Sequence, residues 1–156
     1  AGRWLVKEGI AQPDQLAIVG WSYGGYAALQ SQVLDPALFK AVVAIAPVVD
    51  LGFLAADARG YTSARLVQEY VGTGPHIEAG SPRRHAEKFA APVALFHGTR
   101  DVRHARAMEK ALKAAGKPVI YHEYEDLQHG LEDSTARIDM LTTIGSFLDE
   151  HLGRGG

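Results

Sequence analysis

Residues Leu16 to Tyr26, LAIVGWSYGGY, carry an apolar strand straight into Gly20-Trp21-Ser22-Tyr23-Gly24 and on into helix-forming residues. The spacing is that of a G-x-S-x-G nucleophile elbow, in which a serine sits at the top of a sharp strand-to-helix turn. Such a turn strains the serine backbone, and side chains two residues to either side would collide across it, which accounts for glycine at 20 and 24. Gly25 lets the following helix approach the sheet closely. The helix N-terminus aims its free N–H groups at the serine, where negative charge develops during acyl transfer.

Working outward, the chain alternates short apolar strands with helical patterns. Strands are expected at Leu16 to Gly20, Ala41 to Ala46, Pro92 to His97 and Val119 to Tyr124. Helices are expected at about Gly25 to Leu34, Thr62 to Val71, Arg103 to Ala115 and Ser134 to Leu152. This β-α-β alternation predicts an α/β fold with a mostly parallel four-stranded sheet and flanking helices. The first three strands are apolar nearly throughout, as expected for strands covered on both faces. Pro47 to Tyr61 and Gly72 to Pro82 read as loops.

With 156 residues, 47% hydrophobic and 22% charged, the chain suits one globular domain over 1–156. A formal net charge of -2 provides no basic field for phosphates, so nucleic acid is not an expected partner. There is no cysteine, which excludes thiolate chemistry and fits a cytoplasmic setting. The longest apolar run, Ala41 to Val49, is far short of a membrane span, and AGRWLVKEGI lacks the regions of a signal peptide. The chain starts at Ala1 inside an amphipathic helical pattern, so a fragment or a processed product is expected.

Ligands in an open α/β sheet bind beyond the carboxyl ends of the strands. That rule selects Ser22 after the first strand, Asp101 in His97-Gly98-Thr99-Arg100-Asp101, and His129 in Asp126-Leu127-Gln128-His129-Gly130. Ser, Asp, His is the chain order of α/β hydrolases. A neutral imidazole can take the serine proton near pH 7, and a carboxylate fixes the imidazole's orientation, so activity should rise with pH as His129 loses its proton. Taken alone, Asp101 reads as a helix N-cap and His129 as a surface-loop histidine; their positions after successive strands favour the triad.

His97 reads as a packed core residue. His76, His85, His104, His122 and His151 show no metal-ligand spacing with nearby carboxylates, so neither a metal nor a cofactor is expected. Glu123, Glu125 and Asp126 read as solvated. His104-Ala105-Arg106 and Arg83-Arg84 read as surface charge, with Arg83 or Arg84 a minor candidate for binding a substrate carboxylate.

GWSYGGYAAL, AVVAIAPV, SPRRHAEKFAAPVALFHGTRD and YEDLQHG before a closing helix together resemble the catalytic domain of the prolyl oligopeptidase family, in its acylaminoacyl peptidase and dipeptidyl peptidase branch. The resemblance covers nearly the whole chain. It implies Ser22 as nucleophile, Asp101 as orienting acid, His129 as base and the Tyr23 N–H as an oxyanion donor. It further implies a pocket for a small apolar group, such as a proline or alanine side chain, formed by Tyr26, Val48, Leu51, Phe53 and Leu54.

Two departures accompany the resemblance. In the family this region is the second half of the catalytic domain, so the fold expected here is a truncated α/β hydrolase. Earlier strands, an oxyanion loop bearing a tyrosine and a β-propeller have no counterpart in these residues. Losing one oxyanion donor costs roughly 10² to 10³ in kcat. The family also has a longer apolar loop after its aspartate, with a valine near position 104, whereas Val102-Arg103-His104-Ala105-Arg106 enters a helix almost at once.

The expected function is therefore a serine hydrolase acting through an acyl-enzyme on a small ester or short peptide, esterase-like in this form. The alternative is a catalytically silent fragment that assembles with or complements a longer peptidase. The Leu16 to Gly20 strand, internal in the family, would present a bare apolar edge, and a homo-oligomer through that edge is expected.

Overall fold

The computed structural model describes residues 1–101 and 103–153; of Asp101 it describes the backbone, and its side chain lies outside the described residues. The elements run α1 (Gly2–Lys7), β1 (Ala17–Trp21), α2 (Tyr23–Leu34), β2 (Ala41–Ile45), α3 (Leu51–Asp57), α4 (Ala64–Val71), α5 (His76–Ala79), β3 (Val93–Gly98), α6 (Arg103–Ala114), β4 (Val119–Tyr124) and α7 (Ser134–Leu152). Short 3-10 turns occupy Ala58–Gly60, Pro82–Lys88 and Thr99–Asp101. The four strands pair in parallel in the order β1-β2-β3-β4, as the alternating pattern predicts.

Side-chain alternation sorts the core into two layers. Val42 and Ala44 of β2 and Val93 and Leu95 of β3 face α2 and α6, packing against Leu29, Met108 and Leu112. Val43 and Ile45, with Ala94 and Phe96, face the opposite way onto Met140, Ile144 and Phe147 of α7. Both faces of β2 and β3 are thus buried along their whole length, which is why these strands carry no polar alternation.

β1 differs from that expectation. Its sequence is as apolar as its neighbours', yet no residue of it is fully buried and Val19 is 50% exposed. The reason is coverage: α7 packs over β2 and β3, while β1 lies at the sheet edge. Ile138 and Leu141 of α7 are also exposed.

Two segments read as loops contain helices. In the first, the fully buried Asp50 caps α3, its Oδ1 accepting from the N–H groups of Gly52 (2.8 Å) and Phe53 (3.2 Å). In the second, α5 forms a single turn between Pro75 and Gly80. Both are too short to show a 3.6-residue period in the sequence.

The elbow itself is tight. Ser22 has φ 58° and ψ −118°, a region costly for any side chain but glycine. A Cβ on Gly20 would lie 2.0 Å from the Gly24 carbonyl oxygen, and one on Gly25 would meet the Pro47 Cβ at 2.9 Å. Gly24 departs from the expectation: a Cβ there would meet nothing within 4 Å, because its carbonyl, not its Cα, faces Gly20. Gly20→Ala should therefore destabilise the fold by about 3 kcal/mol or more, whereas Gly24→Ala should be neutral or stabilising by up to about 1 kcal/mol. Urea unfolding of the two variants checks this contrast.

Candidate functional site

Ser22 heads the elbow between β1 and α2, and its N–H donates to the Ile45 carbonyl of β2 at 2.8 Å. Tyr23 is the first residue of α2, so its N–H belongs to the helical turn that has no intrahelical acceptor. His129 arrives from the loop after β4, and its Nε2 lies 2.9 Å from Ser22 Oγ, within hydrogen-bonding distance. Ser22 is half-buried and His129 solvent-exposed, which leaves the pair open to a ligand.

The histidine loop is clamped to the end of β3. Gly98 runs so close to it that a Cβ there would sit 2.2 Å from the Leu127 carbonyl oxygen. The Arg100 N–H donates to that carbonyl at 3.1 Å, and the Asp126 N–H to Thr99 Oγ1 at 2.9 Å. From the other side Trp21 Nε1 donates to the His129 carbonyl at 3.3 Å, while Arg137 Nη2 and Nε hold the carbonyls of Gly130 and Leu131 at 3.0 and 2.9 Å. Asp101 closes the 3-10 turn beside this loop.

Next to Tyr23 opens a mainly apolar cavity of about 470 Å³, walled by Leu51 and Leu54 of α3, by Leu66, Val67, Tyr70 and Val71 of α4, and by His76 of α5. Of the pocket residues expected from the family, Leu51 and Leu54 line it. Tyr26 packs its ring 5.0 Å from Tyr23, and burial together with the Tyr23 hydroxyl raises its pKa. Phe53 points elsewhere, with the guanidinium groups of Arg103 and Arg83 at 3.9 and 4.7 Å from its ring centre. Val48 is half-buried and is not among the lining residues. The α4 wall was legible only as an apolar stripe, Leu66, Val67, Tyr70 and Val71, on a helix with no buried residue. A larger cavity, about 610 Å³, lies at the amino ends of β3 and β4, remote from Ser22.

Several side chains read as surface charge are structural. Arg83 Nη2 and Arg84 Nε hold Asp50 Oδ2 at 2.6 and 2.9 Å, which commits both to the cap of α3. His104 is buried; its Nδ1 accepts from the Val49 N–H at 3.1 Å and its Nε2 lies 3.2 Å from Asp57 Oδ2. Glu123, expected to be solvated, is gripped by Arg106, with Nη2 to Oε2 at 2.7 Å, and by the Tyr121 hydroxyl. The Arg106 hydrogen bond does most to hold its carboxyl down at about 2. Among the described residues no group of His, Asp and Glu is arranged to hold a metal ion, and no helix is long and apolar enough to cross a membrane.

A parallel α/β sheet with a serine on a strained elbow and a histidine hydrogen-bonded to it defines a fold and site of the α/β-hydrolase kind. Residues 1–155 match the prolyl oligopeptidase family, and the chain belongs to it. It is 32% identical over 142 residues to dipeptidyl aminopeptidase BIII of Pseudoxanthomonas mexicana, an alignment covering 83% of this chain and 21% of that protein. It is 30% identical to dipeptidyl peptidase 4 of Bos taurus, over 96% of this chain and 20% of that one. Among solved structures, a puromycin-hydrolyzing peptidase of Mycobacterium tuberculosis superposes with a TM-score of 0.87 at 28% identity, covering 99% of this chain and 25% of that one. The chain thus spans about a fifth of the length of these curated relatives.

The Asp50 network makes a pH prediction. Burial works against ionisation, but hydrogen bonds from Arg84, Arg83 and the Phe53 N–H prevail and hold the carboxyl down at about 2, below its ordinary 3.8. A depressed carboxyl stabilises the fold fully above its ordinary pKa and loses that contribution as pH falls through the folded value. The contribution is about 2 kcal/mol. The stability gap between wild type and Asp50→Asn should therefore narrow by about that amount on acidification across this window. Denaturant titrations at a series of acidic pH values measure it; a gap independent of pH would refute the assignment.

Proposed function

We propose that this chain carries the acyl-transfer centre of a serine hydrolase that cleaves peptide or ester bonds through an acyl-enzyme on Ser22. The observation that carries the proposal is the 2.9 Å approach of His129 Nε2 to Ser22 Oγ on the strained elbow. Oγ bonds to the substrate carbonyl carbon as its proton passes to Nε2. The resulting oxyanion is received by the Tyr23 N–H at the start of α2, and the imidazolium then returns the proton to the departing amine or alcohol. Water repeats the sequence in reverse order of roles and frees the serine. Asp101 is assigned the orienting carboxylate on its place in the chain and on the turn that sets it beside the histidine loop.

The acyl side of the substrate is assigned to the cavity beside Tyr23. At about 470 Å³, with an apolar lining, it suits a branched aliphatic or aromatic side chain better than a proline or alanine. With a single assigned oxyanion donor, esters are the better substrates of the chain on its own, because they need less assistance to the leaving group. A fluorophosphonate should label the wild type and leave Ser22→Ala unlabelled. His129→Ala should slow hydrolysis of an activated ester by roughly 10⁴-fold. Hydrolysis that survives Ser22→Ala would exclude the mechanism.

A second reading draws on the bare edge of β1 and the 50% exposure of Val19. A parallel edge this apolar favours pairing with another chain, and we propose that the chain forms a homo-oligomer through it, or complements the remainder of a longer peptidase there. Sedimentation at micromolar concentration should give a dimer or larger species, and Val19→Lys should shift it toward monomer. A wild-type monomer under those conditions refutes self-association.

A further inference from the structure

The outer wall of the apolar cavity is α4, and α4 has no buried residue; it rests on α3 and the 3-10 turn Ala58–Gly60 that follows it. Whatever fixes α3 therefore fixes the cavity. The amino end of α3 is held by the Asp50 cap, with its two arginines, and by the Leu51 N–H donating to Ser81 Oγ at 3.0 Å. The carboxyl end of α3 is held from another part of the chain. Its last residue, Asp57, presents Oδ2 to His104 Nε2 at 3.2 Å and Oδ1 to Arg103, both in the first turn of α6.

His104 is the more informed partner. It is 8% exposed, and its Nδ1 accepts from the Val49 N–H at 3.1 Å. A ring nitrogen that accepts carries no proton, so the ring proton sits on Nε2, where it donates to Asp57. The Phe53 ring packs edge-on against the imidazole with centroids 5.7 Å apart. One buried side chain thereby ties the segment after β2, the end of α3 and the start of α6 to a common point. Nothing in the Ser22 and His129 pair explains why a polar ring should be buried here.

We propose that His104 and Asp57 are positioning residues that set the width of the acyl cavity by pinning the α3–α4 arm, and so determine selectivity for bulky apolar acyl groups. This rests on the assignment of that cavity to the acyl side of the substrate. When the pin is removed, the arm carrying Leu54, Leu66 and Tyr70 moves away from Tyr23 and contacts with a large acyl group weaken. The loss falls on binding in ground and transition states alike, hence on KM.

The test compares the 4-nitrophenyl esters of acetate and 4-phenylbutyrate, together with hydrogen exchange over residues 51–71, which needs no turnover. In His104→Leu and Asp57→Ala, KM for the phenylbutyrate ester should rise about tenfold, with kcat changing less than about threefold, and exchange over 51–71 should accelerate. His104→Gln, whose amide can still donate to Asp57, and Asp57→Asn, which can still accept from Nε2, should recover most of the effect. That recovery separates a hydrogen-bonded pin from simple packing. Leu54→Trp, which fills the cavity, should raise KM for the phenylbutyrate ester alone. If Leu54→Trp leaves that KM unchanged, the cavity is not the acyl site and both assignments fall. If Leu54→Trp acts but His104→Leu and Asp57→Ala alter neither KM nor exchange, the positioning role alone is overturned.

Discussion

The backbone at Ser22 is the constraint on which the remaining arrangement depends. A residue held at φ 58° is retained only where its surroundings leave no alternative. Here Gly20 passes against the carbonyl of Gly24, Gly25 sits against Pro47, and the Ser22 N–H is bound to Ile45. These contacts come from both sides of the turn and from the neighbouring strand. The serine is therefore raised on a rigid support, and the pairing of β1 with β2 is part of that support. A shift of one residue in their register would turn Ile45 and the elbow away from each other.

A second set of contacts brings the histidine to meet it. His129 lies 107 residues from Ser22 in the chain, so its placement depends on how closely its loop is held. Gly98 supplies the close approach to Leu127, Thr99 and Arg100 supply backbone hydrogen bonds, and Trp21, the residue before the serine, binds the histidine's own carbonyl. Sites assembled from loops reach useful precision when the loops are cross-braced in this way. The same segment carries Asp101, so the ends of β1, β3 and β4 converge on one small region.

Cover over the sheet is unequal, and the inequality follows from the position of α7. It spans β2 and β3 and leaves Val19 of β1 exposed, while the strand order places β1 and β4 at the two edges.

Much was legible in the sequence because it is local. Steric exclusion at Gly20, the period of the strands and helices, and the order Ser22, Asp101, His129 are properties of neighbouring residues or of chain order, and the four parallel strands and the elbow follow from them. The role of Gly24 is not legible there, because sequence does not say which atom of a glycine faces the turn. The fates of Arg83, Arg84, His104 and Glu123 were illegible for a related reason. A charged or polar side chain looks solvated until a partner distant in the chain engages it, as Asp50, Asp57 and Arg106 do here. Likewise the α4 stripe reads as an ordinary amphipathic helix until α3 and Tyr23 are set opposite it. The sequence by itself determined the strand-elbow-helix unit, because short-range sterics and periodicity decide it. Only the tertiary structure decided which polar groups are paired and what lines the cavity, because those depend on contacts between residues distant in the chain.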